Sequence, residues 1–411
     1  KRGRMIRSMA NLWTLICLCM AEAAAIQVEL HPFRNRWLLT TRRDSNEDQI
    51  TTPKSVYGRS DVNIEIPDSV FPNQKSIEAL ESTTPGAIHG WFDSCYKNAT
   101  LHYMKWLPEG EPEGIVVFAH GINSQCNKGL SVNGRKLATA LLVQEFLKRG
   151  CAVYTFDQYG HGFSEGKRFL IPQTWENNKQ DLVNFCEMAS QQQRQRRQGN
   201  NAAKNTAIPL FLAGESYGGC LALHVARHFQ DYPDAAPAGF DSLLLTAPAI
   251  VGDMPKFPLY QILRYVLAPL FPNRIPFFMP NTVSPDRIWR DEQVRRIRCD
   301  PDYLDMGIDG SGRKFKLGTG LNLVLALEEV RSRVIPGLTV PFCVLHGTSD
   351  YGVPIEGAEY LMDTSMGKEE NEFHRMEGAY HDLFTDPLAE EAIGHWMSFV
   401  EKRLHSSERI S

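Results

Sequence analysis

Residues 210–219 read LFLAGESYGG and are followed, at 221–229, by LALHVARHF. A short apolar run, a G-x-S-x-G turn from Gly214 to Gly218, and a helix-like segment make a strand–turn–helix. That is the context in which a serine is held on a sharp, strained turn with its hydroxyl projecting. The glycines leave room where strand and helix pass close, and amides at the helix start face developing negative charge. Ser216 is therefore the candidate nucleophile.

Working outward, similar short and often β-branched runs occur at 115–119, 151–156, 243–246 and 342–345, and helix-like stretches separate the first of them. Segments 87–95 and 100–107 read as antiparallel strands placed before this series. Alternation of this kind predicts an α/β fold, a mainly parallel sheet flanked by helices on both faces. The long interval from about 249 to 336, between two core strands, exceeds an ordinary connection and needs structure of its own. Its first part, FPLYQILRYVLAPLFPNRIPFFMP at 257–280, is apolar and broken by prolines. We read it as a helical cap inserted between core strands, over the carboxyl end of the sheet. The polar run QQQRQRRQGNNAAKN at 191–205 reads as a solvated loop insertion.

A serine needs a base, and the base needs an orienting acid. Asp350 closes the turn after the strand at 341–345, and His381 lies in the loop after a strand-like segment at 371–376. Both fall at carboxyl ends of strands, the edge Ser216 occupies, in the order Ser, Asp, His. His346 reads as a structural strand-end residue, and Asp363, Asp382 and Asp386 as cap or surface carboxylates. His224 and His228 share a helix face without an evident third ligand, which favours packing over metal binding. The backbone N–H groups of Ile122, after the strand at 115–119, and of Tyr217 are the candidate oxyanion donors. The glycines at 160, 162 and 166 do not fit G-x-G-x-x-G, so no cofactor is implied, and no metal.

The chain has 411 residues and a formal net charge of −4. Residues 1–60 carry 10 Lys+Arg against 5 Asp+Glu, leaving 34 against 43 in the remainder. An acidic body argues against nucleic acid as a partner. Ordinary apolar content excludes a disordered or multi-span membrane chain. Lys1, Arg2, Arg4 and Arg7 precede an apolar stretch and then small residues, the layout of a signal peptide or other targeting leader over 1–28. A polar linker follows over 29–85. A working leader implies the secretory pathway or a membrane; otherwise the cytoplasm is implied. The cysteines beyond the leader number seven and read as reduced core residues.

Six motifs in order carry a resemblance: VVFAHGINS (116–124), YTFDQYGHGFSEG (154–166), LFLAGESYGG (210–219), LLLTAPAI (243–250), CVLHGTSDYGVP (343–354) and EGAYHDLF (377–384). The chain resembles the monoacylglycerol lipase and lysophospholipase group of α/β-hydrolases, catalogued with the serine aminopeptidase S33 domain. The resemblance implies an α/β-hydrolase domain over 86–405 with its cap at about 249–336. It also implies Ser216, Asp350 and His381 as the triad, Ile122 and Tyr217 as oxyanion donors, and Asp157 with His161 as structural loop residues. Glu215 departs from the group's usual histidine. The reading is a serine ester hydrolase acting on a small-molecule acyl ester such as monoacylglycerol or a lysophospholipid, with peripheral membrane contact through the cap. An acyltransferase, an aminopeptidase-like hydrolase and a non-catalytic hydrolase-fold binding protein stay open as alternatives.

Overall fold

The computed structural model describes residues 83–199, 207–252, 258–277 and 281–408, together with Glu78. The leader and nearly all of the linker therefore lie outside the described residues, as do Phe257 and the end of the polar run at 200–205.

Strands β1 (Ile88–Asp93) and β2 (Thr100–Trp106) pair antiparallel, and β2 lies antiparallel to β6 (Cys151–Phe156). From β6 onward every pairing is parallel, through β3 (Gly114–Ala119), β7 (Leu210–Glu215), β8 (Phe240–Thr246), β9 (Phe342–Gly347) and β10 (Glu372–Met376). The sheet order is β1-β2-β6-β3-β7-β8-β9-β10. A two-stranded ribbon, β4 (Leu130–Val132) with β5 (Arg135–Leu137), had no counterpart in the sequence reading.

All six residues of β3, β6, β7 and β9 are buried, as expected of parallel strands covered on both faces. Alternation along β3 sends Ile115, Val117 and Ala119 into one core and Val116 and Phe118 into the other. The first core is completed by α2 (Trp175–Gly199), α3 (Tyr217–Asp231), α4 (Leu317–Glu329) and α5 (Glu356–Thr364). The second is completed by α1 (Thr139–Lys148) and α6 (Ala389–Glu408).

Three readings are corrected. The run at 191–205 is not simply a loop: its first nine residues extend α2 to Gly199. Gln and Arg are good helix formers, and Gln192 and Gln193 bond the side chains of Lys105, Tyr103 and Tyr154. Asp382 and Asp386 are buried rather than surface carboxylates, because each has partners below the surface; Asp363 is exposed as read. The seven cysteines are free, yet only five are buried, with Cys95 and Cys299 exposed.

Candidate active site

Ser216 sits between β7 and α3 with φ 53° and ψ −118°, a strained conformation that costs about 1–3 kcal/mol and persists only where the surroundings impose it. They do so from both sides. The Ser216 amide donates to Thr246 O of β8 at 3.0 Å, and Ser216 O accepts from the amides of Cys220 (3.1 Å) and Ala249 (2.9 Å). A Cβ at Gly218 would lie 2.1 Å from Ala119 O, and one at Gly214 would lie 2.5 Å from Gly218 O, so neither position admits a side chain.

Asp350 and His381, from the loops after β9 and β10, meet directly: His381 Nδ1 lies 2.8 Å from Asp350 Oδ2. The other oxygen, Oδ1, accepts the amides of Gly352 and Val353, each at 2.8 Å, which fixes the carboxylate plane. His346 is more than a strand-end filler, since its Nε2 stands 3.2 Å from the same Oδ2. Burial would raise the Asp350 carboxyl, but His381 and His346 hold it well below the usual carboxylate range. At His381 burial opposes the charged imidazole, yet Asp350 outweighs it and raises the pKa, with Glu215 and Asp382 acting in the same sense.

The loop after β3 is braced by histidines. His120 Nε2 accepts from the Gln158 amide at 3.0 Å, so its proton resides on Nδ1 and is donated to Gly121 O at 2.7 Å. His161 Nε2 accepts from the Asn123 amide at 3.1 Å while its Nδ1 faces Tyr159 O at 2.8 Å. Burial above all pushes His161 down to about 3, so it stays neutral in this role. Asp157 takes the amides of Cys126 (2.7 Å) and Phe163 (3.0 Å) and the His102 ring (2.9 Å). Burial would raise its carboxyl, but His102 above all, with His120 and the Phe163 amide, brings it down to about 2. These contacts pin residues on both sides of Ile122.

Ser216, Ile122 and Tyr217 share the wall of a cavity of about 170 Å³ with Gly352 and Val353, the two residues that anchor Asp350. Much of the remaining lining is aliphatic: Leu263, Ala268, Leu317, Leu321, Val324 and Leu327. Tyr260 and Arg264 supply a polar edge, bonded to each other at 2.6 Å and, from Arg264, to Glu328 at 3.0 Å. Of the apolar residues at 259–271, Leu263 and Ala268 line the cavity. Leu259, Ile262, Leu267 and Phe271 pack within the cap, and Val266 and Leu270 are exposed.

Among the described residues, two clusters have metal-ligand chemistry, His102/Cys126/Asp157 and Cys343/Glu372/His374. In the first, both Asp157 oxygens already serve amides and His102; in the second, Glu372 is shared by His374 (3.0 Å) and Lys402 (2.8 Å). His224 packs on Trp175 and faces Ala326 O at 3.1 Å, a packing role as read. The residue that sequence reasoning missed is Lys128, buried with its ammonium 2.6 Å from the Glu215 carboxylate and 3.4 Å from Asp382.

The sheet order, the strained serine turn and the Asp350–His381 pair define an α/β-hydrolase of the serine type. Residues 110–388 match the family described as serine aminopeptidase, S33, and the chain belongs to that family. Among curated relatives it is 26% identical over 304 residues to the monoacylglycerol lipase of Mycolicibacterium smegmatis, spanning 74% of this chain and 93% of the relative. It is 25% identical over 285 residues to the monoglyceride lipase of Rattus norvegicus, spanning 68% and 78%. Among solved structures, a soluble variant of the Saccharomyces cerevisiae monoglyceride lipase, in complex with a substrate analogue, shares the fold with a TM-score of 0.55 at 17% identity. That likeness covers 84% of this chain and 98% of the other. The Paleococcus ferrophilus monoacylglycerol lipase shares it with a TM-score of 0.52 at 24% identity, covering 72% and 98%.

Proposed function

We propose that the protein is a serine carboxylic-ester hydrolase that cleaves single-chain acyl esters, with long-chain monoacylglycerol as the first candidate and lysophospholipid as the second. The observation that carries this reading is the aliphatic cavity with Ser216 on its wall. An acyl chain gains from such a wall, and the ester carbonyl then lies beside the hydroxyl.

His381 takes the Ser216 proton as Oγ attacks the carbonyl carbon, while Asp350 fixes the ring tautomer and stabilises the imidazolium. The amides of Ile122 and Tyr217 hold the oxyanion. Collapse expels the alcohol, which takes its proton from His381. Water, deprotonated by His381, then attacks the acyl-enzyme, and Ser216 leaves with that proton as the fatty acid is released. The names of the lipase relatives agree with this substrate class. An aminopeptidase would need a carboxylate free to meet a substrate amine, and Glu215 is instead buried against Lys128. Tyr265, Leu270 and Phe277, exposed on the cap, supply a surface for contact with a lipid layer.

The test is a fluorophosphonate probe followed by a substrate panel. Ser216 is expected to label, Ser216→Ala to abolish labelling, and long-chain monoacylglycerol to be preferred over an amino-acid amide. A folded protein that does not label, or one that prefers the amide, refutes the reading.

A further inference from the structure

Glu215 immediately precedes Ser216, and Asp382 immediately follows His381. Lys128, from the loop after β3, places one ammonium against both: 2.6 Å from the Glu215 carboxylate and 3.4 Å from Asp382 Oδ2. All three side chains are almost wholly removed from solvent. Ionised groups cost several kcal/mol each to bury, so a cluster of this kind persists only where its members satisfy one another. The arrangement is anchored further. Asp382 Oδ2 accepts Trp289 Nε1–H at 3.1 Å, its amide donates to Ile288 O at 3.0 Å, and the Arg298 guanidinium donates to the Lys128 carbonyl.

We propose that Lys128 is a positioning residue, a buried clamp whose two carboxylate partners are the chain neighbours of the nucleophile and of the base, so that one ammonium holds Ser216 and His381 in register. This rests on the proposed triad. The clamp ties the loops after β3 and β10, which carry Lys128 and Asp382, to Glu215, the last residue of β7. It also accounts for the acidic residue next to the nucleophile. Glu215 is one arm of the clamp and does not meet substrate. A shift of a few tenths of an ångström between hydroxyl and imidazole slows proton transfer without altering the aliphatic wall, so the clamp acts on kcat and leaves KM nearly unchanged.

The experiment compares the full chain with Lys128→Met and with the triple variant Lys128→Met/Glu215→Gln/Asp382→Asn. Readouts are kcat and KM on long-chain monoacylglycerol and on a short-chain aryl ester, the rate of fluorophosphonate labelling, and thermal unfolding. Lys128→Met strands two carboxylates, whereas the triple variant strands none. The expected result is a fall in kcat and in labelling rate on the order of 100-fold in Lys128→Met, with KM within about threefold of the parent on both esters. The triple variant is expected to recover thermal stability and to stay at least about tenfold slow. Should Lys128→Met not fold, the triple variant carries the comparison, and Lys128→Arg, which keeps the charge, is expected to retain more activity than the triple variant. Parent-like kcat in a folded Lys128→Met, or activity returning with stability in the triple variant, overturns the clamp. Absence of ester turnover in the parent bears on the substrate reading instead, and the labelling rate then still decides the clamp.

Discussion

Ser216, the loop at 120–124 and the Asp350–His381 pair are held by backbone hydrogen bonds, buried carboxylates and glycines that admit no side chain. The cap segment that contributes Leu263 and Ala268 to the cavity is built otherwise. Leu259–Ile262, Leu263–Leu267 and Ala268–Leu270 are three short helical pieces, the middle one a π-turn, with Tyr265, Val266 and Leu270 exposed. Pro269 lacks an amide to continue the i→i−4 ladder, and widening by one residue just before it keeps the chain helical. The contrast separates two tasks. Bond breaking needs donors and bases fixed to within fractions of an ångström, whereas an acyl chain needs only an apolar wall of about the right shape. The same change of one side chain should therefore cost far more on the sheet edge than on the cap.

The largest effect expected is at Asp350. Asp350→Asn keeps an oxygen for the Gly352 and Val353 amides but presents the wrong partner to His381 Nδ1. Ester turnover should fall on the order of 10⁴-fold with little change in melting temperature. Residual turnover should also respond differently to pH. His381 acts as a base only when neutral, and the Asp350 charge, outweighing burial, raises its pKa. In the parent, kcat/KM should decline as pH falls through a value above that of an ordinary histidine, and in Asp350→Asn this limb should move to lower pH. A variant with unchanged kcat would place the orienting acid elsewhere.

An intermediate effect is expected where the cap meets the cavity. Leu321→Trp fills space in the cavity that Ser216 also lines and leaves the triad residues themselves unchanged. Long-chain monoacylglycerol should lose on the order of 10 to 100-fold in kcat/KM, since each displaced methylene forfeits about 0.8 kcal/mol, while a short-chain aryl ester keeps its rate. Equal loss on both substrates would mean that the cap wall also positions the reacting groups, and the separation of tasks would fail.

The same division explains what the sequence disclosed. The placement of Ser216, Asp350 and His381 just after strand ends was legible because strands announce themselves over five or six consecutive residues. The β4–β5 ribbon was missed because three-residue strands carry almost no periodic signal. Lys128 in QCNKGL looks like an ordinary surface lysine, and its partners lie 87 and 254 positions away, so only the folded chain brings the charges together. Asp382 was misplaced for the same reason. In the cap, apolar content was evident at 257–280, but which residues face the cavity, the cap interior or solvent depends on a helix that changes pitch at Leu263–Leu267, and a single 3.6-residue period cannot assign them.

The smallest effect concerns the outer face of the cap. Leu270 and Phe277 are 66% and 65% exposed, and neither lines the cavity. Large apolar side chains held out in water gain free energy when they enter a lipid interface, up to about 1.5–3 kcal/mol each for full transfer and less for shallow insertion. Leu270→Ser/Phe277→Ser should thus lower turnover of monoacylglycerol presented in vesicles by about three- to tenfold through weaker surface binding. The same ester dispersed in detergent and a water-soluble aryl ester should be hydrolysed at the parent rate, because the cavity and the triad are untouched. Co-sedimentation with the vesicles should fall in parallel with turnover. If both presentations lose activity equally, these side chains stabilise the cap itself, and the exposed face plays no part in reaching the substrate.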